Sequence, residues 1–223
     1  MPIKKKLEML KVFSDQPKGL VICYLGAGKG KTTAAMGMAA RASGAGMNVF
    51  ILQFVKAKAS SDNQKKDGEW PVSCEIDFFN FFSELHHPSL ALPLMGRESA
   101  KGIGRIDNEQ MGLGFVGILG DKKEKETHIR QALLGLERAR EVIASGKYQL
   151  VILDEIISAL EVGLLQERDI LDIIKIKPTL THLVLTGHNK YPKILKECDL
   201  VTEMKMIKHP YYKGILAQRG IDY

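Results

Sequence analysis

The chain has little that could hold it together covalently. It has three cysteines, Cys23, Cys74 and Cys198, far apart and odd in number, and no C-x-x-C pair. That disfavours a disulfide framework or a cysteine metal cluster and fits a reducing cytosol, so a cytoplasmic protein is expected. No apolar run reaches the length of a membrane span. The basic run Lys4-Lys5-Lys6 has no apolar core behind it, so no secretion signal is expected. There are no internal repeats and no low-complexity linker, and Trp70 is the sole tryptophan. The charge excess is modest at +6, and outside Lys4–Lys6 the basic residues are scattered. An anionic small molecule suits that distribution better than nucleic acid.

With 223 residues, 45% hydrophobic and 26% charged, the chain is long enough for one sizeable α/β domain and cramped for two. Its most informative stretch is Leu20–Ala40. Leu20–Leu25 is a short apolar run suited to a buried strand. Gly26, Gly28 and Gly30 follow at alternate positions, and Lys31-Thr32-Thr33 opens a helix rich in small residues. Strand, glycine loop and helix in that order make a phosphate-binding loop. Glycines let backbone N–H groups approach the phosphates, and the helix start adds unpaired donors and a positive dipole end. Gly26, Ala27, Gly28, Lys29, Gly30, Lys31, Thr32 and Thr33 are the candidate ATP contacts. Lys31 adds charge against the outer phosphates, and Thr32 offers a hydroxyl to Mg²⁺. The common G-x-x-x-x-G-K-[ST] pattern wants its first glycine where Leu25 stands, so this loop is one residue short.

A second stretch, Gln149–Ile157, drives four apolar residues into Asp154-Glu155. A buried strand ending in carboxylates opposite a phosphate loop is the usual partner of such a loop. Asp154 would reach the metal, directly or through water. Glu155 would be a second metal contact or a base. Lys31, Thr32 and Glu155 are therefore the candidate catalytic residues, and Thr32, Asp154 and Glu155 the candidate Mg²⁺ set.

Elsewhere, Asn48–Val55 reads as a second strand, with a right-handed crossover implying that it runs parallel to the first. Val72–Phe82 reads as one strand, and Gly102–Arg105 and Met111–Gly117 as flexible glycine-rich segments. His86-His87-Pro88 reads as a turn rather than a metal site. Asp121–Ser145, Ser158–Glu161, Gln166–Ile174 and Pro192–Glu197 read as helices, and Thr181–Thr186 and Leu200–Ile207 as strands. Alternating strands and helices give a parallel-sheet α/β fold. The expected organisation is one domain over 1–223, with an arm at 1–17 and an unusual insertion at about 57–106.

Several segments together resemble the ATP:corrinoid adenosyltransferases. They are Gly26-Ala-Gly-Lys-Gly-Lys-Thr-Thr33, Gln53-Phe-Val-Lys56, Met111-Gly-Leu-Gly-Phe115, Val151-Ile-Leu-Asp-Glu155, Leu185-Thr-Gly187, Lys208-His-Pro210 and Gly214-Ile-Leu-Ala-Gln-Arg-Gly-Ile-Asp222. The resemblance covers 18–56 and 111–223. It implies a RecA-like P-loop fold and a homodimer, with a flavoprotein as candidate reductant. It also implies transfer of the 5′-deoxyadenosyl group of ATP to a corrinoid at Co(I), with tripolyphosphate released. Phe115 matches the aromatic that lies by the lower corrin face. Two positions depart from the family: Gly117 stands where a tryptophan is expected, and His188 where arginine is common. A P-loop ATPase or kinase, and a nucleotide- or corrinoid-binding protein without turnover, are the alternative readings.

Overall fold

The structure is a computed structural model; it describes residues 18–57, 74–85, 102–114, 116, 121 and 123–222. Within these, six strands form one parallel sheet. They are β1 (Val21–Leu25), β2 (Val49–Ala57), β3 (Ile106–Gly112), β4 (Leu150–Asp154), β5 (His182–Thr186) and β6 (Leu200–Glu203). Seven helices accompany them: α1 (Lys31–Gly44), α2 (Cys74–Leu85), α3 (Lys125–Ala144), α4 (Ile156–Glu161), α5 (Glu167–Ile176), α6 (Pro192–Lys196) and a short 3₁₀ turn, Pro210–Lys213. The strand order is β3-β2-β4-β5-β1-β6. The fold is α/β and RecA-like, with β5 inserted between the loop strand β1 and the carboxylate strand β4.

Side-chain alternation along the strands builds a core on each face of the sheet. Val21, Cys23 and Leu25 of β1, with Val151 and Leu153 of β4, pack against Leu136, Ala139 and Ile143 of α3 and against Ile170 and Ile173 of α5. The intervening residues Ile22, Ile51, Ile152 and Val184 face Ala35, Met36 and Ala39 of α1 and Ile76 and Phe79 of α2. Ala35 and Ala39 of α1 are fully buried, so this helix lies close on the sheet and its N-terminus is held at the strand ends.

Four expectations change. β1 does not pair with β2: both are parallel members of the sheet, but β4 and β5 lie between them. The stretch expected as a strand at 72–82 is helical from Cys74. Its buried residues Ile76 and Phe79 recur at helical spacing, while Phe78 and Phe81 are exposed and mimic a continuous apolar strand. Met111 and Gly112 end β3 rather than forming a flexible segment, because pairing with β2 along Val49–Ala57 orders them. The last strand also stops at Glu203, after which the chain turns across the glycine loop. His86-His87, Trp70, the 1–17 arm, Phe115 and Gly117 lie outside the described residues.

Candidate nucleotide site

The glycine loop leaves β1 at Gly26 and enters α1 at Lys31. Part of the glycine requirement comes from the protein itself. A Cβ on Gly26 would stand 2.4 Å from the Met204 carbonyl oxygen, and one on Gly28 would stand 2.7 Å from the same atom. The segment after β6 therefore lies directly on the loop. The Gly28 N–H donates to Met204 O at 2.8 Å, and the Gly26 N–H to His188 O at 3.0 Å. These two donors brace the loop rather than facing out, which revises the expectation that the glycines all serve the phosphates. Gly30 has φ 106°, a left-handed conformation that a side chain would strain. No side chain caps the N-terminus of α1, so its first-turn N–H groups and dipole are open to an anion.

Lys31 is buried and folded back on the loop, donating to Gly26 O at 2.8 Å and Gly28 O at 3.0 Å. Burial holds its ammonium below the free-lysine pKa, while Glu155, Asp154 and Glu161 pull the other way. Thr32, next on the helix, donates from Oγ1 to Asp154 Oδ1 at 3.0 Å. That bond joins the loop to the end of β4 across the intervening strand.

Asp154 is fully buried. Besides Thr32 it accepts from Gln53 Nε2 at 2.9 Å and Thr186 Oγ1 at 2.8 Å. Gln53 in turn accepts from Gln110 Nε2 at 3.0 Å, so a polar line runs from β3 through β2 to β4. Glu155 then turns the chain at φ 61°, the one non-glycine residue with positive φ among the described residues. Such a backbone costs about 1–3 kcal/mol and persists only where its surroundings impose it. Here its N–H is held by Thr186 Oγ1 at 2.7 Å. Its carboxylate receives the Ser158 hydroxyl, which also lies 3.0 Å from His188 Nδ1.

The structure thus brings Lys31, Thr32, Asp154 and Glu155 together at the carboxyl ends of β1 and β4. Lys29 points instead to the tail, where it pairs with Asp222. A cleft of about 600 Å³ opens between Lys29 and the tail, lined also by Lys205, Lys208, His209 and Ile215. Four residues here carry no site role in the sequence reading: Gln53, Thr186, Ser158 and His188. The signal for the first was a polar side chain in the middle of an apolar strand, which must find a partner when buried. Ser158 and His188 left no such signal.

A lysine folded into a glycine loop, with a hydroxyl tied to a buried strand-end aspartate, defines a P-loop nucleotide-binding protein. Comparison with known proteins narrows the class. The chain belongs to the ATP:corrinoid adenosyltransferase BtuR/CobO/CobP family, whose sequence pattern matches residues 17–87 and 93–223. It is similar to the corrinoid adenosyltransferase of Pseudomonas aeruginosa, with 30% identity over 206 residues, 92% of this chain and 84% of that one. A corrinoid adenosyltransferase from Sinorhizobium sp is 30% identical over 224 residues, covering 99% and 88% of the two chains. The corrinoid adenosyltransferase CobA of Salmonella typhimurium is 26% identical over 221 residues, covering 99% and 94%.

Proposed function

We propose how this chain's residues divide the work of adenosyl transfer. As a member of its family the protein is an enzyme that moves the 5′-deoxyadenosyl group of ATP to the Co(I) centre of a corrinoid. The electron pair on cobalt forms a bond to ribose C5′, the C5′–O bond breaks, and its electron pair leaves with tripolyphosphate. The nucleophile belongs to the corrinoid, so the protein needs no nucleophilic side chain and acts by positioning and by stabilising charge.

The observation that carries this assignment is the Thr32–Asp154 bond, with Lys31 folded on the loop beside it. Lys31 and the α1 N-terminus offer their donors to the triphosphate as charge gathers on its leaving oxygen. Gly26 to Thr33 form the cradle. Thr32, Asp154 and Glu155 present hard oxygen donors of the kind Mg²⁺ prefers, and would hold it. Magnesium's contribution there is to neutralise charge on the departing triphosphate. Asp154, wholly buried, holds the Thr32 hydroxyl, and the less buried Glu155 is the carboxylate nearer the substrate. Phe115 supplies an apolar wall against the lower corrin face, favouring a four-coordinate cobalt that is easier to reduce.

We read 1–223 as one domain, supported by the single continuous sheet. A homodimer is supported by the exposed apolar edge at β6 and beyond, where Leu200, Val201, Ile207 and Leu216 face outward. Sedimentation velocity would read that directly. A flavoprotein reductant and a cytoplasmic setting complete the reading; free thiols at Cys23, Cys74 and Cys198 are in keeping with the latter.

The deciding experiment is product analysis. Under anoxia, Mg-ATP and chemically reduced cobalamin should give intact tripolyphosphate and a light-sensitive cobalt–carbon product, seen in the visible spectrum. Without corrinoid, ATP should persist. Brisk ADP formation in the absence of corrinoid would overturn the reading in favour of an ATPase.

A further inference from the structure

Ser158 and His188 extend Glu155 into a short hydrogen-bonded chain, and adenosyl transfer as assigned gives these two residues no role. The donors in it can be assigned by elimination. A carboxylate offers only acceptors, so the single Ser158 hydroxyl proton goes to Glu155 Oε2. The Ser158 oxygen is then free to accept, and the atom 3.0 Å from it is His188 Nδ1. That nitrogen must therefore carry a proton. His188 is thus fixed as a donor at Nδ1, and Ser158 passes its orientation on to the carboxylate.

The main chain of His188 is anchored independently, since its carbonyl accepts the Gly26 N–H at 3.0 Å. One residue therefore touches the glycine loop through its backbone and Glu155 through Ser158. Gly187 before it has no room for a side chain: a Cβ there would meet Ile157 Cβ at 2.3 Å. The turn after β5 is thereby pressed against the start of α4, which keeps His188 beside Ser158. Glu161 Oε2, 3.9 Å from His188 Nδ1, is a second carboxylate facing the ring.

We propose that His188, acting through Ser158, is a positioning residue that aims the Glu155 carboxylate at the metal-bound triphosphate. The inference rests on the assignment of Glu155 as a metal-site residue. Glu155 sits in a strained left-handed turn, so its carboxylate is not aimed by helix or strand geometry and needs an outside constraint. The Ser158–His188 chain supplies it. Histidine at position 188 also matches this job where a longer, always-charged arginine would reach past Ser158.

The test is equilibrium binding of Mn²⁺, a spectroscopic stand-in for Mg²⁺, followed by electron paramagnetic resonance at saturating ATP, alongside transfer kinetics and thermal melting. Ser158→Ala and His188→Ala should each weaken Mn²⁺ binding by about 10-fold, the order seen when groups supporting a metal ligand are removed. His188→Asn keeps an N–H near the Nδ1 position and should restore binding to within about twofold of the parent. The double Ser158→Ala/His188→Ala variant should be no worse than either single, because both break one chain. If His188→Ala fails to fold, the comparison of His188→Asn with His188→Gln, which moves the donor away from Nδ1, carries the test. Parental Mn²⁺ binding in His188→Ala, with Glu155→Gln impaired, would overturn the proposal and leave Glu155 in place. Parental Mn²⁺ binding in Glu155→Gln would overturn both.

Discussion

Replacing Asp154 should separate holding the site together from using it. Its buried carboxylate takes donors from Thr32, Gln53 and Thr186 at 3.0, 2.9 and 2.8 Å. Hydrogen bonds to a charged group contribute about 1.5–3 kcal/mol each, and a buried donor left unpaired costs about 1–3 kcal/mol. Asp154→Ala strands three donors at once, roughly 3–6 kcal/mol once the softer hydroxyls have turned elsewhere. Relief from burying a charge returns part of that, leaving a net loss of about 2–4 kcal/mol. Asp154→Asn should cost less, about 1–2 kcal/mol, because its amide oxygen still faces Gln53 and the threonine hydroxyls can turn lone pairs toward its N–H groups. Urea unfolding followed by circular dichroism reads both values. In a chain of this size each kcal/mol moves the melting temperature by about 2–4 °C. Both variants should lose transfer activity by about 10–100-fold, since the Thr32 hydroxyl loses the acceptor that orients it. An Asp154→Ala protein within about 0.5 kcal/mol of the parent would refute the reasoning. The carboxylate would then not be what gathers these donors.

Lys31→Met should abolish adenosyl transfer yet raise the melting temperature without ligand, because it removes a buried ammonium whose pKa burial lowers. The sign in pH follows: unfolded Lys31 keeps its proton up to about 10.5 while the folded form loses it earlier, so the parent should gain stability relative to Lys31→Met as pH rises toward that value. A melting difference flat in pH would count against it. Phe115→Ala should impair turnover from Co(II) substrate more than from pre-reduced Co(I), and equal losses would exclude the proposed wall. The hydrogen-bonding contact with Cys198, and then burial, push the Cys23 thiol up, while the same contact draws Cys198 down. Iodoacetamide at pH 8 should therefore label Cys198 well before Cys23, as mass spectrometry of peptides would show.

The loop and the acidic strand end were legible because each needs a fixed residue order over a few positions. Glycines, Lys31 and Thr32 must be contiguous at a helix start, and Asp154 must follow an apolar run. The links between them were not legible. Thr186 and Gln53 meet Asp154, and His188 meets Ser158, only through sheet order, and local sequence carries no record of which strands become neighbours. The misread helix α2 shows the complementary failure. Phe78 and Phe81 are 57% and 60% exposed, so apolar residues on its outer side blurred the 3.6-residue period that Ile76 and Phe79 keep.

The position of β1 in the sheet bears on how the protein is made. Among the described residues β1 pairs only with β5 and β6, the last two strands described, so Val21 finds its partner at Leu183 and Leu25 at Glu203. The phosphate loop is thus synthesised well before the strands that complete it. During translation its strand has no sheet neighbour until His182–Thr186 has left the ribosome, and such long-range pairings form slowly. A chain cut before Leu200 would keep Gly26 to Thr33 and Asp154, yet leave β1 as a raw sheet edge and the loop without Met204 beneath it. ATP competence should therefore appear in one step once Leu200 to Met204 has emerged, and nascent chains shorter than that should need protection from pairing through β1.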